Sequence, residues 1–471
     1  MDNVSLAWLV GAFVISLAYV LFTIIKLKFH PFLSLLTGGI LMGILSKMPL
    51  EDIGNLLSSG FGSTMGGIGI IIVWGVVLGN LLHKSGCTEE IAALMLRLTG
   101  EKRTSLAVAL TGYIVSIPVF FDAAFVILIN LIKQLARKGK IPFITLVTAL
   151  ATGLITTHAM VIPTPGPLAV AGEMQANLGA FFVYGAIASL TGVLVAGVWY
   201  ANRLGKRPEY ANDFANAFED EFTEAEEAVA ATGTDKPSGG LGIMLILLPI
   251  ILILVGTIGT AILKSGTVIY DILAFIGNKN IALMAGAIIA FLTLRKYLTH
   301  NLEEVITDSA KDSGIIFLIT GAGGAFGAII NATGIGTKIV DVIEGSGMTG
   351  ATASVVLILV AWFISQILRA AQGSTTVALI TTSAILAPLV IQLNATANVV
   401  SPVLVGLAIC AGGIGISLPN DSGFWVVNRF SKFTVKDTFA AWTIPGTISG
   451  VISLIVVLIL SLMQSFLPGM F

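Results

Sequence analysis

The run Arg369-Ala370-Ala371-Gln372-Gly373-Ser374-Thr375-Thr376 lies in the middle of an otherwise apolar stretch, residues 351–393. A charged, glycine-containing turn between two apolar arms fits neither a soluble loop nor a plain membrane span. Irregular backbone at membrane depth is tolerated only where protein or water satisfies its polar groups, so the stretch reads as a hairpin dipping into a bilayer. A second stretch of this kind, 105–135, centres on Ser116-Ile117-Pro118-Val119-Phe120-Phe121-Asp122. Its first arm, 105–117, falls short of the roughly 20 apolar residues a crossing needs, which again favours re-entry.

The rest of the chain agrees with a membrane setting. Of its 471 residues, 56% are apolar and 11% charged, and 52 are glycine; the mean hydropathy is +0.97. Soluble proteins carry about 25% charged residues, so an ordinary cytosolic enzyme is excluded. The glycines suit closely packed or broken membrane helices. A net charge of −1 argues against nucleic acid as a partner. Cys87 and Cys410 make neither a disulfide framework nor a metal set, and no cofactor or metal is expected. The apolar run after Met1-Asp2-Asn3-Val4-Ser5 has no basic leader and reads as a first span, not a signal peptide.

Ten spans are predicted, at 5–25, 31–46, 64–82, 142–162, 177–201, 241–263, 280–294, 313–331, 400–418 and 440–467. Hairpins do not change the side on which the chain emerges. With both termini outside, twenty of the 25 basic residues fall on the inner side. Only Lys47, Lys264, Lys279 and Lys338 fall outside, and Arg369 is left within the second hairpin. Such sorting is the positive-inside signal, and random placement of solvated loop residues would not produce it. It puts the termini on the periplasmic side and the linker 203–240 in the cytoplasm. This stretch is acidic, from Glu209 and Asp213 through Glu219-Asp220-Glu221 to Asp235, with a short helix predicted around 209–230 and no chemistry assigned to it.

Each half then holds three spans, a hairpin and two spans. Gly75, Gly79, Gly86 and Ile91 have the spacing of Gly323, Gly327, Gly334 and Ile339, and Leu50-Glu51-Asp52-Ile53 resembles Leu302-Glu303-Glu304-Val305. Five crossings per half is an odd number, so the halves must be inverted relative to each other. The predicted fold is an all-α polytopic membrane protein of two inverted repeats, about ten spanning helices and two re-entrant hairpins, with broken helices at the midplane. That is the build of many secondary transporters, whose site lies at the repeat interface.

Ionisable groups at membrane depth are costly and point to function. Four stand out: Asp122, His158, Arg369 and Asp421. Asp122 is either a first-turn carboxylate favoured by the helix dipole or a proton carrier or acceptor for substrate hydroxyls. Arg369 either snorkels to the surface or joins Gln372 and the turn Gly373, Ser374, Thr375 and Thr376 in an anion site. Free N–H groups at a helix start favour an anion, and a guanidinium can grip a carboxylate through two hydrogen bonds. His158 is a satisfied structural residue or a proton site. Asp421 caps a half-helix at 422–430 or serves transport. Pro163, Pro165 and Pro167 interrupt one span, and Gly415 to Gly423 another.

At these residues the chain resembles the gluconate permease family, within the wider ion-transporter superfamily. The matching stretches are Lys28-Phe29-His30-Pro31-Phe32, Phe121-Asp122, Thr157-His158 with Pro165-Gly166-Pro167, Gly373-Ser374-Thr375-Thr376-Val377-Ala378 and Asn420-Asp421-Ser422-Gly423-Phe424-Trp425. They cover both halves. One departure is Ile162-Pro163-Thr164-Pro165, where the family leads one to expect a Pro-Pro-His-Pro-type run; the long acidic linker is another.

The resemblance implies proton-coupled uptake of a sugar acid such as gluconate, with H+ rather than Na+ as coupling ion. It also implies a homodimer in a bacterial inner membrane, with a transport part moving past a scaffold. The N-terminal repeat is then 1–202 (scaffold 1–103, transport part 104–202) and the C-terminal repeat 241–471 (scaffold 241–348, transport part 349–471). Thr164, Asn420 and Ser422 are expected to meet substrate hydroxyls with Asp122, and Asp122, His158 or Asp421 to carry the proton. The alternatives are a sodium-coupled di- or tricarboxylate carrier and a family member specific for D-serine or glycerate. A passive channel is disfavoured by the closed hairpins. An intramembrane enzyme lacks any recognisable nucleophile or metal motif.

Overall fold

The computed structural model describes residues 4–470 apart from 88–89, 92–93, 95–103, 118–119, 211–212, 214–235, 264, 299–300, 336–337, 339–349, 397–399 and 420. Among the described residues there is no strand. In the first half, α1 (Leu6–Ile25), α2 (Pro31–Leu45) and α3 (Leu50–Lys84) precede the helix pair α4 (Thr104–Val115) and α5 (Phe121–Gly139). Next come α6 (Phe143–Met160), α7 (Pro165–Glu173) and α8 (Leu178–Val193), the last running on through a π-helical turn to Gly205. The second half holds α9 (Gly239–Ile262), a short α10 (Val268–Ile276), α11 (Lys279–Leu294) and α12 (Leu302–Thr333). The pair α13 (Gly350–Gln372) and α14 (Thr375–Thr396) leads to α15 (Pro402–Ile414), α16 (Ser422–Phe430) and α17 (Ile444–Ser461).

Local chemistry accounts for many of these boundaries. Ser5 caps α1 by accepting from Trp8 N, and Asn301 caps α12 by accepting from Glu304 N, a standard use of short polar side chains. Acids open both long helices, Glu51 and Asp52 in α3 and Glu303 and Glu304 in α12, where the helix dipole favours them. Gly86 and Gly334, equally spaced beyond Gly75 and Gly323, both take positive φ, +74° and +66°, and turn the chain after each long helix. The order of long helix, helix pair, broken helix and closing helix is thus the same in both halves, with α10 additional in the second.

Nine described helices are long and apolar enough to cross a membrane, or ten when the two limbs of α3 are joined across a 45° bend. The bend falls among Gly66, Gly67 and Gly69, where side chains do not hold the helix straight. Two predicted spans come out short: α2 has 15 residues and α15 has 13. Lys47, at φ +59°, turns the chain just beyond α2, and the irregular stretch from Gly415 ends α15. The two hairpins also differ from each other. With 12 described residues, α4 extends about 18 Å at 1.5 Å per residue, short of a crossing. In contrast, α13 and α14 have 23 and 22 residues, so each arm of the second hairpin is long enough to span.

The long helices α3 and α12 cross closely because glycine removes the side chain at the contact. A Cβ on Gly60 would lie 2.5 Å from Gly324 O and 2.6 Å from Ala328 Cβ. Small residues serve this purpose in membranes, where apolar side chains gain nothing by leaving lipid. The segment 209–230, expected as a short helix, lies largely outside the described residues. Its described start is docked: Tyr210 Oη donates to Asp437 at 2.7 Å, and Asp213 accepts from Phe143 N and Ile144 N at 2.6 and 3.0 Å, capping α6.

Candidate substrate site

The two hairpin tips meet. Phe120 to Asp122 of the first and Gly373 to Thr376 of the second line one cleft of about 260 Å³, with His158, Arg369, Asp421 and Ser422 also in its wall. That volume lies below the roughly 300 Å³ at which pockets for drug-sized ligands begin, so the cleft suits a small solute.

The second tip is shaped for an anion. Gly373 takes φ +75°, a conformation glycine enters without steric cost, and its N–H returns to Arg369 O at 3.0 Å. Ser374 then starts α14 by accepting from Val377 N through its hydroxyl at 3.4 Å and from Ala378 N through its carbonyl at 3.0 Å. The positive end of α14, with Thr375 buried and Thr376 half-buried beside it, faces the cleft.

Arg369 is 1% exposed, so snorkelling to the surface is excluded. Its Nη2 donates to Asp421 at 2.5 Å, while Nε and Nη1 are buried with no hydrogen-bond partner among the described residues. Asp421 accepts from Gly423 N at 2.9 Å and caps α16 as the sequence suggests. It also accepts from Ser417 Oγ, which in turn accepts from Trp442 Nε1 at 2.6 Å. Asp421 is therefore both a cap and the counter-ion of Arg369. Two guanidinium nitrogens left unsatisfied beside a helix start make a place for a carboxylate.

The first tip supplies the opposite wall. Asp122 sits in the first turn of α5 and is exposed to the cleft mouth, its Oδ2 3.5 Å from Ser422 Oγ. His158, near the end of α6, is 5% exposed. Its Nε2 lies 3.4 Å from Thr376 Oγ1, its ring packs on Phe120 at 5.6 Å, and its Nδ1 has no partner among the described residues.

Not every predicted residue arrives here. Thr164 is 1% exposed and absent from the cleft wall; its hydroxyl donates to Val161 O within the break between α6 and α7. The break consumes the group that was expected to meet substrate. Asn420 and the side chain of Gln372 lie outside the described residues.

Two wall residues went unnoticed in the sequence. Asp312, on α12, faces the cleft and accepts from Asn80 Nδ2 at 3.0 Å. Trp442 packs on Phe121 at 4.4 Å. Asp312 lies just before a predicted span, where an acid reads as solvated. Trp442 lies within one, where an aromatic reads as core.

Comparison with known proteins places the chain in a family. Residues 8–463 match the profile of the GntP family permeases. The chain is 30% identical over 437 residues to the low-affinity gluconate transporter of Escherichia coli K12, covering 92% of this chain and 94% of that one. It is 32% identical over 442 residues to the D-serine transporter DsdX of the same organism, covering 93% and 95%. Its fold is similar to that of the YdaH transporter of Alcanivorax borkumensis, with a TM-score of 0.60 at 15% identity, covering 89% of this chain and 90% of that one.

Proposed function

The chain belongs to the GntP family of permeases, and from that premise we propose that it takes up gluconate or a related sugar acid together with protons. It is a membrane transporter and not an enzyme. The observation that carries the substrate reading is the unspent half of Arg369 beside the start of α14, facing Asp122 and Ser422 across the cleft. A carboxylate fits between the Arg369 Nε and Nη1 donors and the free N–H groups of Thr375 and Thr376. Its hydroxyls then reach Asp122 and Ser422. Within this cleft Asp122, His158 and Asp421 are the groups we assign to passing a proton, with Asp312 a further acid in the wall.

The remaining architecture follows the same reading. Two inverted repeats would place 104–202 and 349–471 in a part that moves, as an elevator, against a scaffold of 1–103 and 241–348. The chain would act as a homodimer in a bacterial inner membrane, with its termini periplasmic and 203–240 cytoplasmic. Support comes from the inner-side bias of the basic residues and from the repeated order of elements.

A second substrate class has an observation of its own. Asp122 and Asp312 both line the cleft, and either carboxylate would receive the ammonium of D-serine while Arg369 holds its carboxylate. Uptake of labelled gluconate into proteoliposomes under an imposed pH gradient, without sodium, tests the proposal. Competition by gluconate, its epimers, glycerate and D-serine ranks the substrates. Accumulation that requires a sodium gradient instead would sink the proton reading.

A further inference from the structure

A second cavity, of about 310 Å³, lies farther along the same helices, between α3 and α12 on one side and α7 and α14 on the other. Its wall is made of glycines and small polar residues, among them Gly60, Ser63, Thr64, Gly323, Gly324 and Asn331, and one acid, Glu173. Among the described residues in this wall, the faces of α3, α12 and α14 contribute no titratable or charged group. Glu173 ends α7, just beyond the first helix break. One carboxyl oxygen, Oε2, accepts from Ser383 Oγ of α14; the other, Oε1, is buried beside the Thr320 hydroxyl of α12, without a well-formed hydrogen bond among the described residues.

An acid so placed carries chemistry of its own. A carboxylate inside a membrane protein is retained only with a cation, a full set of hydrogen bonds or a proton to hold. Asp421 has Arg369, and Asp122 is exposed to the cleft mouth. Glu173 has no cation beside it among the described residues, and its Oε1 is buried within the cavity wall. It also sits on a seam where the helices nearly touch. A Cβ on Gly323 would lie 2.2 Å from Ala384 Cβ and 3.7 Å from Glu173 Oε1, and one on Gly327 would lie 2.8 Å from Pro388 Cγ. Such a seam has no room for the hydration shell that an ionised carboxylate would drag along it. Ser383 stands nine residues beyond Ser374 on α14, about 13 Å along one rigid helix, so the acid and the anion site are tied to the same rod.

We propose that Glu173 is the proton-coupling acid of this carrier. Its Oε1 takes a proton from water when the cavity is open on one side. It crosses the glycine seam as the neutral acid while α7 and α14 move past α3 and α12, and it returns the proton to water on the other side. This assignment rests on the reading of the chain as a proton-coupled carrier, and it moves the coupling site out of the substrate cleft.

The test uses the full-length protein in proteoliposomes and two readouts. One is accumulation of labelled gluconate, or of labelled D-serine where the wild type prefers it, under an imposed pH gradient. The other is counterflow of the same label at equal pH. Glu173→Gln keeps the shape and the bond to Ser383 without a titratable proton. It is expected to lose accumulation, with the inside-to-outside ratio falling to about one, while counterflow stays within about twofold of wild type. Glu173→Asp should regain part of the accumulation. Wild-type accumulation by Glu173→Gln overturns the proposal. So does loss of counterflow in step with accumulation, which marks a structural role. So does a wild-type dependence on sodium that Glu173→Gln removes, which puts a metal cation at the carboxyl. If the wild type accumulates neither solute under any gradient, the transport reading falls, and the assignment of Glu173 with it.

Discussion

The breaks between α6 and α7 and between α15 and α16 hold corresponding places in the two halves, yet they are built from opposite materials. The first, around Val161 to Thr164, contains no charge, is buried throughout, and closes on itself through the Thr164 hydroxyl. Its three nearby prolines, Pro163, Pro165 and Pro167, carry no N–H and leave few donors to satisfy. The second is organised by Ser417, which donates to Asp421 and accepts from Trp442, and by Arg369, which reaches across from α13. The same order of elements thus holds two broken helices, while the polar chemistry gathered at one. Among the described residues, the second break lies beside the unpartnered Nε and Nη1 of Arg369, and no guanidinium stands at the first.

The most damaging way to break this comparison is to remove the charge that defines the second break. Arg369→Ala leaves Asp421 buried without its counter-ion, which costs about 3–5 kcal/mol. The expected result is a large drop in the thermal unfolding midpoint of the purified protein and loss of uptake. Loss of fold and loss of binding are separated by the double variant Arg369→Ala/Asp421→Ala. It should recover most of the stability, because an ion pair removed whole costs far less than one cut in half, and yet remain without uptake. Recovery of wild-type substrate affinity by the double variant would show that the pair holds the structure and does not meet the carboxylate.

A milder change sharpens the same contrast. Ser417→Ala deletes a hydrogen bond to Asp421 and strands the indole N–H of Trp442. An unsatisfied buried donor costs about 1–3 kcal/mol. Thermal unfolding should fall accordingly, and KM should rise several-fold as Asp421, and with it Arg369, loses its fixed position. A KM equal to wild type would mean that the guanidinium is oriented by its other neighbours.

The sequence made much of this legible for a simple reason. In an apolar chain every charge, proline and glycine cluster is conspicuous, so the hairpin centres, both breaks and the four ionisable residues at depth could be read directly. Pairing could not. Arg369 and Asp421 are each visible alone, but their contact joins α13 to the cap of α16 across 52 positions. Asp312 and Glu173 escaped notice because each stands near the end of an apolar run, where an acid looks like an ordinary solvated terminus; Asp312 stays exposed but faces the cleft, and packing against α14 buries Oε1 of Glu173. Helix length was misread where polar residues continue a helix beyond its apolar part. The clearest example is α3, whose first turns, from Leu50 through Ser63, precede the predicted span yet are helical.

Thr164 gives the smallest expected effect and the most direct check on the contrast between the breaks. Sequence placed it among the groups that meet substrate hydroxyls, and the structure turns its hydroxyl onto Val161 O, 1% exposed and outside the cleft wall. Thr164→Val keeps the shape and removes that one donor. A single internal hydrogen bond contributes about 1 kcal/mol net, so the unfolding midpoint should fall slightly and KM should stay within about twofold of wild type. A tenfold rise in KM with an unchanged midpoint would mean that the first break opens toward the substrate during transport. The two breaks would then share the ligand, and the asymmetry drawn from their resting chemistry would not survive.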